Sequence, residues 1–288
     1  MTYKHYTVSC IERAVTFIAE SLQAEHVPKL EEIAQASNLS KYHFHRLYRL
    51  VTGETCHQTI TRLRLARGVA TLTNPNATVT DAAMNAGFSS SQSFAKAMKN
   101  VTSETATDLK ADPERLAMMV QLLGHATNTD VKRPIAIELA SIEPFEIVVT
   151  RTEGVYPELH QTYEGLFDLA GGPEGVLAIL GLPLGDIDGP EPDTFAFDCG
   201  LKIVDMSVEL PSAFSVHNIG AGHYLVARNK GSYDGLPHTV DALYRYILTH
   251  ADIGISDEPL LFHYLDSPDE TPEAELRTDI YIKIEIAN

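Results

Sequence analysis

Two stretches of this chain, about fifty residues apart, repeat one pattern: a short apolar helix, a turn of small residues, then a polar and basic helix. The first is LEEIAQASNLSKYHFHRLYR, from Leu30 to Arg49, and the second is VTDAAMNAGFSSSQSFAKAMKN, from Val79 to Asn100. Setting Leu39 on Phe88 places Ile33 on Ala82, Ala34 on Ala83 and Asn38 on Gly87. One extra residue in the second copy then aligns Phe44 with Phe94, Arg46 with Lys96, Leu47 with Ala97 and Arg49 with Lys99. A duplicated helix–turn–helix of this kind offers two helices to two segments of a major groove. Double-stranded DNA is the partner it predicts.

The elements around the repeat follow from periodicity and punctuation. Ile11, Val15, Ile18 and Leu22 sit at helical spacing and predict a first helix from Val8 to Leu22, ended by Pro28. Ser40 suits the N-cap of the first reading helix, Ser89 or Ser90 that of the second, and Gly53 is placed to end the first. Thr55–Leu72 reads as one longer helix stopped by Asn74-Pro75-Asn76, and Pro113–Leu123 as another. Gly124–Pro134 has no periodicity and reads as a linker. Beyond it the pattern changes to strands: IAIELASI, FEIVVTRTEG, FAFDCGLKIV, GHYLVARNKG, LLFHYL and DIYIKIEI. Helical segments at Tyr156–Leu169 and Leu236–Thr249 each follow a strand that ends in glycine, Gly154 or Gly231. The expected fold is therefore two domains: an all-α double helix–turn–helix over 1–112, a helix and linker over 113–133, then an α+β domain of two pseudo-symmetric strand-helix-strand repeats over 134–288.

Charge follows the same division. The chain holds 22 Lys and Arg against 39 Asp and Glu, a net of −17, but residues 1–115 carry 13 basic and 11 acidic side chains while 116–288 carry 9 and 28. Between Lys41 and Arg67 stand six basic residues and Glu54 alone. The local patch governs nucleic-acid binding, and the acidic half weakens its non-specific part. No apolar run reaches the ~20 residues of a membrane span, and the start lacks the features of a signal peptide. Cys10, Cys56 and Cys199 are far apart and without ligand spacing, which predicts a reduced, cytoplasmic setting without disulfides, metal or cofactor. His43 and His45 lie two apart on a helix and so face opposite ways, which does not suit zinc.

On the first reading helix Lys41, Tyr42, His45 and Arg46 share one face, with Phe44, Leu47 and Tyr48 turned to the core. Arg46 suits a bidentate contact to guanine, worth roughly 1–3 kcal/mol of discrimination. Arg49 is placed for phosphate, and the second helix offers Ser91, Gln92 and Lys96, with Gln92 suited to adenine. Each of these residues taken singly also fits a solvated helix face; the repeat is what joins them.

The strings SKYHFHRLYRLVTGE, ITRLRLARGVATL and AAMNAGFSSSQSFAKAMK, in that order, resemble the AraC/XylS family of transcription regulators. The resemblance covers the first hundred or so residues. It implies a seven-helix fold and places Lys41, Tyr42, His45 and Arg46 at base-facing positions. The chain departs from that family in lacking a Gly near Val101-Thr102 and a Pro near Cys56 and near Ala106.

The second half has no triad, P-loop or metal motif. Strand alternation in its tail puts Asp279, Tyr281 and Lys283 on one face and Ile280, Ile282 and Ile284 on the other. A carboxylate beside aromatic rings suits a cationic or amphipathic ligand; the alternation equally fits an ordinary polar strand face. The tail, VTRTEGVYPELHQTYEGLF and YLVARNKGSYDG together resemble the GyrI-like small-molecule-binding domain, over nearly all of the second half. That resemblance implies a ligand groove between the pseudo-repeats, with Tyr156, Phe262, Tyr264, Asp279 and Tyr281 at matching positions. The family usually has Pro where Lys283 stands and often a pocket Trp, and this chain has no Trp. The expected function is a transcription regulator, not an enzyme, that binds DNA and a small-molecule effector, acting through domain packing or contact with RNA polymerase. The alternative is a small-molecule hydrolase using Asp279 or Glu275 with Tyr156, or a domain that only sequesters ligand.

Overall fold

The computed structural model describes residues 3–40, 42–124, 135–153, 159–184 and 196–286. The chain forms two compact units, one of residues 9–39 and 47–131, the other of residues 1–8, 40–46 and 132–288.

Among the described residues eight helices precede the strands: α1 (Tyr3–Gln23), α2 (Leu30–Ser37), α3 (Phe44–Thr52), α4 (Cys56–Leu72), α5 (Val79–Asn85), α6 (Ser91–Thr102), α7 (Ala106–Ala111) and α8 (Pro113–Gly124). Local chemistry sets their ends. Thr55 and Gln58 cap α4 reciprocally, Gln58 N donating to Thr55 Oγ1 and Thr55 N to Gln58 Oε1. Thr78 with Asp81 does the same for α5, and Ser90 caps α6 by accepting from Ser93 N. Such caps are each worth about 1 kcal/mol. Gly53 follows α3 with φ +81°. The start of α3 differs from expectation: the amides of His43 and Phe44 donate to the Ser40 carbonyl, so Tyr42 and His43 form a turn and the helix proper begins at Phe44.

The core of the helical unit is built on Leu65, Val69 and Leu72 of α4, against Ala82 and Ala83 of α5, Phe94 and Met98 of α6, Leu109 of α7 and Leu116, Met119 and Leu123 of α8. Full burial of one such large apolar side chain stabilises by about 1.5–3 kcal/mol. Among the described residues no helix is long and apolar enough to cross a membrane.

Among the described residues after 134, the other unit is one antiparallel sheet with two α-helices. Its elements are β1 (Ile137–Ile142), β2 (Phe145–Glu153), α9 (Leu159–Leu169), β3 (Val176–Pro183), β4 (Ala196–Ile203), β5 (Ser215–Ile219), β6 (Gly222–Lys230), α10 (Leu236–Thr249), β7 (Ile253–Ile255), β8 (Leu261–Tyr264) and β9 (Arg277–Ile286). The order across the sheet is β1-β6-β9-β8-β3-β4-β2-β5, with β7 added on β9. The units β2-α9-β3-β4 and β6-α10-β8-β9 are the two repeats, and they meet where β3 pairs with β8.

Connectivity forbids a flat sheet. β1 lies at one end, yet only two residues separate it from β2 near the other end. Six strand spacings would put them about 29 Å apart in a flat sheet, and the link from Ile142 to Phe145 reaches only about 10 Å. The link from β5 to β6 makes the same demand in mirror fashion. The sheet therefore curls. Its inner face carries one buried cluster drawn from distant strands: Ile147, Val149, Leu180, Leu182, Ile219 and Leu261, with Tyr281 packed against it. The outer face, with Cys199, Leu201, Ile280 and Ile282, takes the helices.

Candidate functional site

Equivalence of the two helix–turn–helix copies is visible in the backbone. Asn38 and Gly87, the aligned turn residues, both have left-handed φ, at +59° and +71°. Asn is one of the few side chains that tolerates this region, and Gly enters it freely. Burial matches as well. Ile33 and Ala82 are both inaccessible to solvent, as are Phe44 and Phe94.

On α6, Gln92 and Lys96 are exposed and Ser91 half-buried, so these side chains are available on the helix surface. Arg64, from α4, holds the turn before it. Its Nε donates to Ala86 O at 3.0 Å and its Nη2 to Gly87 O, with the guanidinium 4.1 Å over the Phe88 ring. Burial lowers the Arg64 pKa from its ordinary value. Arg62 is likewise committed, gripping the buried Glu54 through Nε and Nη2 and donating to Leu123 O. Arg67 donates to Leu22 O and Asn85 Oδ1. Arg62, Arg64 and Arg67, three of the six basic residues read as a patch, are thus bound to partners within the helical unit. Thr59, which donates to Glu54 Oε1 and accepts from the Tyr48 hydroxyl, completes this network.

The first copy is arranged differently. Tyr42 and His45 are half-buried, Arg49 is half-buried, and Arg46 is 5% exposed. Arg46 Nη1 donates to Asp241 Oδ1 at 2.6 Å and to Pro237 O at 3.4 Å, both on α10 of the unit to which residues 40–46 belong. In the same place Tyr244 Oη lies 2.6 Å from His43 Nδ1, and His43 Nε2 lies 2.9 Å from Ser256 O. A neutral imidazole satisfies this pair, donating to the carbonyl and accepting from the phenol. Burial takes the His43 pKa down to about 4, against the smaller opposing pull of its hydrogen bonds. Lys41 lies outside the described residues.

The residues matched to the GyrI-like groove fall on two faces of the curled sheet. Cross-strand partners share a face, and Phe262 pairs with Ile280, Tyr264 with Thr278, whereas Asp279 pairs with His263 and Tyr281 with Leu261. Phe262 and Tyr264 are therefore on the outer, helix-bearing face. Asp279 and Tyr281 are on the inner one, where Tyr281 packs on the apolar cluster. Tyr156 lies outside the described residues. Asp279 is buried and accepts two bonds from Arg228, at 2.6 and 2.7 Å. The first repeat contains the counterpart, Asp198 held by Arg151 at 2.8 and 2.9 Å. Burial raises the Tyr281 pKa, with Asp279 adding to the effect.

On the outer face, the seam of β3 and β8 collects aromatic rings from both repeats. Tyr264 packs edge-on to Tyr163 of α9 (6.3 Å), to Tyr233 (5.5 Å) and to Phe262 (6.5 Å), and Phe262 meets Phe197 at 6.4 Å. Gly181 makes this possible: a Cβ there would come within 2.4 Å of Phe197 Cζ and 3.3 Å of Tyr264 Cε2. The Tyr163 hydroxyl donates to Leu180 O at 2.6 Å, and burial holds its pKa well above the usual phenol range. Tyr163, Phe197 and Tyr233 were not legible as site residues. Their common neighbourhood depends on the β3–β8 pairing, which brings together residues up to a hundred positions apart.

Among the described residues no cluster of His, Cys, Asp and Glu suits a metal ion, and the three cysteines are free and buried.

In chain order, a duplicated helix–turn–helix is followed by an α+β domain of two repeats. Comparison with known families agrees: residues 136–285 match the GyrI-like small molecule binding domain, and residues 33–112 match a helix-turn-helix domain. The chain belongs to the GyrI-like family and carries an AraC-type helix–turn–helix at its N-terminal side. It is 33% identical over 97 residues to the probable transcriptional regulator YgiV of Escherichia coli K12, covering 32% of this chain and 58% of that protein. It is 37% identical over 70 residues to the transcriptional activator AarP of Providencia stuartii, covering 24% and 52%. The chain thus spans little more than half the length of these relatives. The solved C-terminal domain of EcmrR covers 53% of this chain and 99% of its own, at 16% identity and a TM-score of 0.44.

Proposed function

We propose that this chain is a DNA-binding transcription regulator whose GyrI-like domain senses a small molecule. The observation that carries the reading is the pair of left-handed turns at Asn38 and Gly87 with matched core residues on either side. Two such units present α3 and α6 to two groove segments. In this reading Lys41, Tyr42, His45 and Arg46 read bases from the first unit, Ser91, Gln92 and Lys96 from the second, and Arg49 holds phosphate.

Arg46 can reach a base only after leaving Asp241. A ligand whose binding disfavours the Arg46–Asp241 contact would therefore raise DNA affinity, which is the differential affinity for two states that regulation requires. RNA polymerase is the second partner of such a response. The seam with Phe262 and Tyr264 is the proposed effector site. A sensor is favoured over a hydrolase because Asp279 is committed to Arg228, whereas a general acid must be free to exchange its proton with substrate.

The test is a gel shift at fixed salt after selection of a binding site from random sequence. Arg46→Ala should lose discrimination at one half-site and Gln92→Ala at the other. Unaltered base preference in both variants would overturn the assignment of α3 and α6 as reading helices.

A further inference from the structure

We infer that the effector held at the outer seam is an uncharged, flat aromatic molecule with one hydrogen-bonding group, rather than a cation. The inference rests on the sensor reading and adds the ligand's chemical class.

Charge decides first. The strand carboxylates nearest the seam in sequence, Asp198 and Asp279, belong to the inner face and are each held by two arginine hydrogen bonds. Asp266, whose charge acts on Tyr233, is gripped by Arg277 through Nε and Nη2 at 2.9 and 2.7 Å. A cation entering the seam thus meets ring faces whose attraction is modest at exposed sites, strand carboxylates already matched by guanidinium, and, among the described residues beside the rings, only the solvent-exposed Glu164 and Asp234, whose charges water screens. Its lost hydration is poorly replaced. A neutral ring loses little hydration and gains the apolar contact in full.

Among the described residues two buried hydroxyls lack a hydrogen-bond partner, those of Thr152 and Thr278, and the second is the one beside Tyr264. Thr278 is wholly buried. Thr278 pairs in register with Tyr264, so its side chain lies on the outer face beside that ring. The hydroxyl of Tyr163, the other phenol packed on Tyr264 from the first repeat, already serves Leu180 O. An unsatisfied buried hydroxyl is a standing cost that a ligand group can remove. Tyr233, more than a third exposed and half of an edge-to-face pair with Tyr264, is the ring that must shift to admit the ligand.

The test is calorimetric titration of the full chain with three probes of one size: 2-naphthol, naphthalene and N-methylquinolinium. 2-Naphthol should bind at least tenfold more tightly than N-methylquinolinium. Thr278→Val, which keeps the shape of the side chain, should weaken 2-naphthol five- to tenfold and leave naphthalene unchanged, and Tyr264→Ala should remove both. Tighter binding of the cation, lost in Asp279→Asn, would overturn the ligand class and move the site to the inner face while sparing the sensor reading. Absence of binding by all three probes would overturn the seam as the effector site and the ligand class with it, while the gel shift decides the DNA-binding reading separately.

Discussion

Gly87 offers the sharpest test of the duplicated turn, because strain and packing separate cleanly there. Its φ is +71°, a region in which an L side chain costs roughly 1–2 kcal/mol. A Cβ added at Gly87 would meet only Arg64 Nε and Nη2, both at 3.8 Å, which is ordinary contact. The change to Ala therefore acts through backbone alone. Against the strain stands the reduced freedom of the unfolded chain, worth about 0.4–1 kcal/mol in the other direction. The net expectation is destabilisation of about 1 kcal/mol, a fall in Tm of about 4 °C for a unit of this size. Gly87→Asn should cost less than Gly87→Ala, since Asn38 adopts the same φ in the first copy. Gly87→Val should cost more, because a β-branched residue is a genuine outlier there. The assay is thermal and urea unfolding followed by helical circular dichroism. A Gly87→Ala protein as stable as the parent, or an Asn variant weaker than the Ala one, would refute the equivalence of the two turns.

Three further outcomes follow from buried charge. Asp241→Asn removes the anion that holds Arg46, so selective DNA affinity should rise several-fold in a gel shift without effector; unchanged or lower affinity counts against competition for that arginine. Arg62→Ala leaves Glu54 buried without its cation, and loss of one partner from such a pair costs about 3–5 kcal/mol, to be read as a large drop in the urea midpoint of the helical unit. His43, with a folded pKa of about 4 against the ordinary 6.5, destabilises the fold as pH drops. The unfolded chain takes up a proton below about 6.5 and the folded one resists until about 4, so the loss grows through that window and reaches about 3 kcal/mol below it. A His43→Gln variant should lack this component in a stability–pH profile; an identical profile would refute the assignment.

The helical half was legible because its signals are local. Ser90, Gly53 and the Asn38/Gly87 pair announce caps and turns within a few residues of where they act. The start of α3 was misplaced by the same logic, as Ser40 is followed by a turn rather than by helix. What sequence concealed was the destination of the basic side chains. Arg62, Arg64 and Arg67 share a motif with a DNA-binding flavour, yet their acceptors include the carbonyls of Leu123, Ala86 and Leu22, and a carbonyl leaves no trace in a residue string. In the sheet, alternation grouped Asp279 with Tyr281. It left open which face curls inward, since that is set by the closure of β1 onto β6 and β5 onto β2, pairings between distant segments.

Those internal arginine bonds have a measurable consequence for DNA. If all six basic residues from Lys41 to Arg67 met phosphates, together with Lys96 and Lys99, eight contacts would give a log–log salt slope of about −7. Arg62, Arg64 and Arg67 are held by partners inside the helical unit, and replacing those bonds by phosphate would leave a buried Glu54 and the turn carbonyls unpaired. Five contacts are then the ceiling, and the slope should be no steeper than about −4.5. Repulsion from the acidic half works in the same direction, because added salt screens it while it weakens phosphate attraction. A slope near −7 on a selected site would show that the three arginines leave their partners for DNA, and the helix–turn–helix would then have to be read as a module that rearranges on binding rather than one set in place by α4.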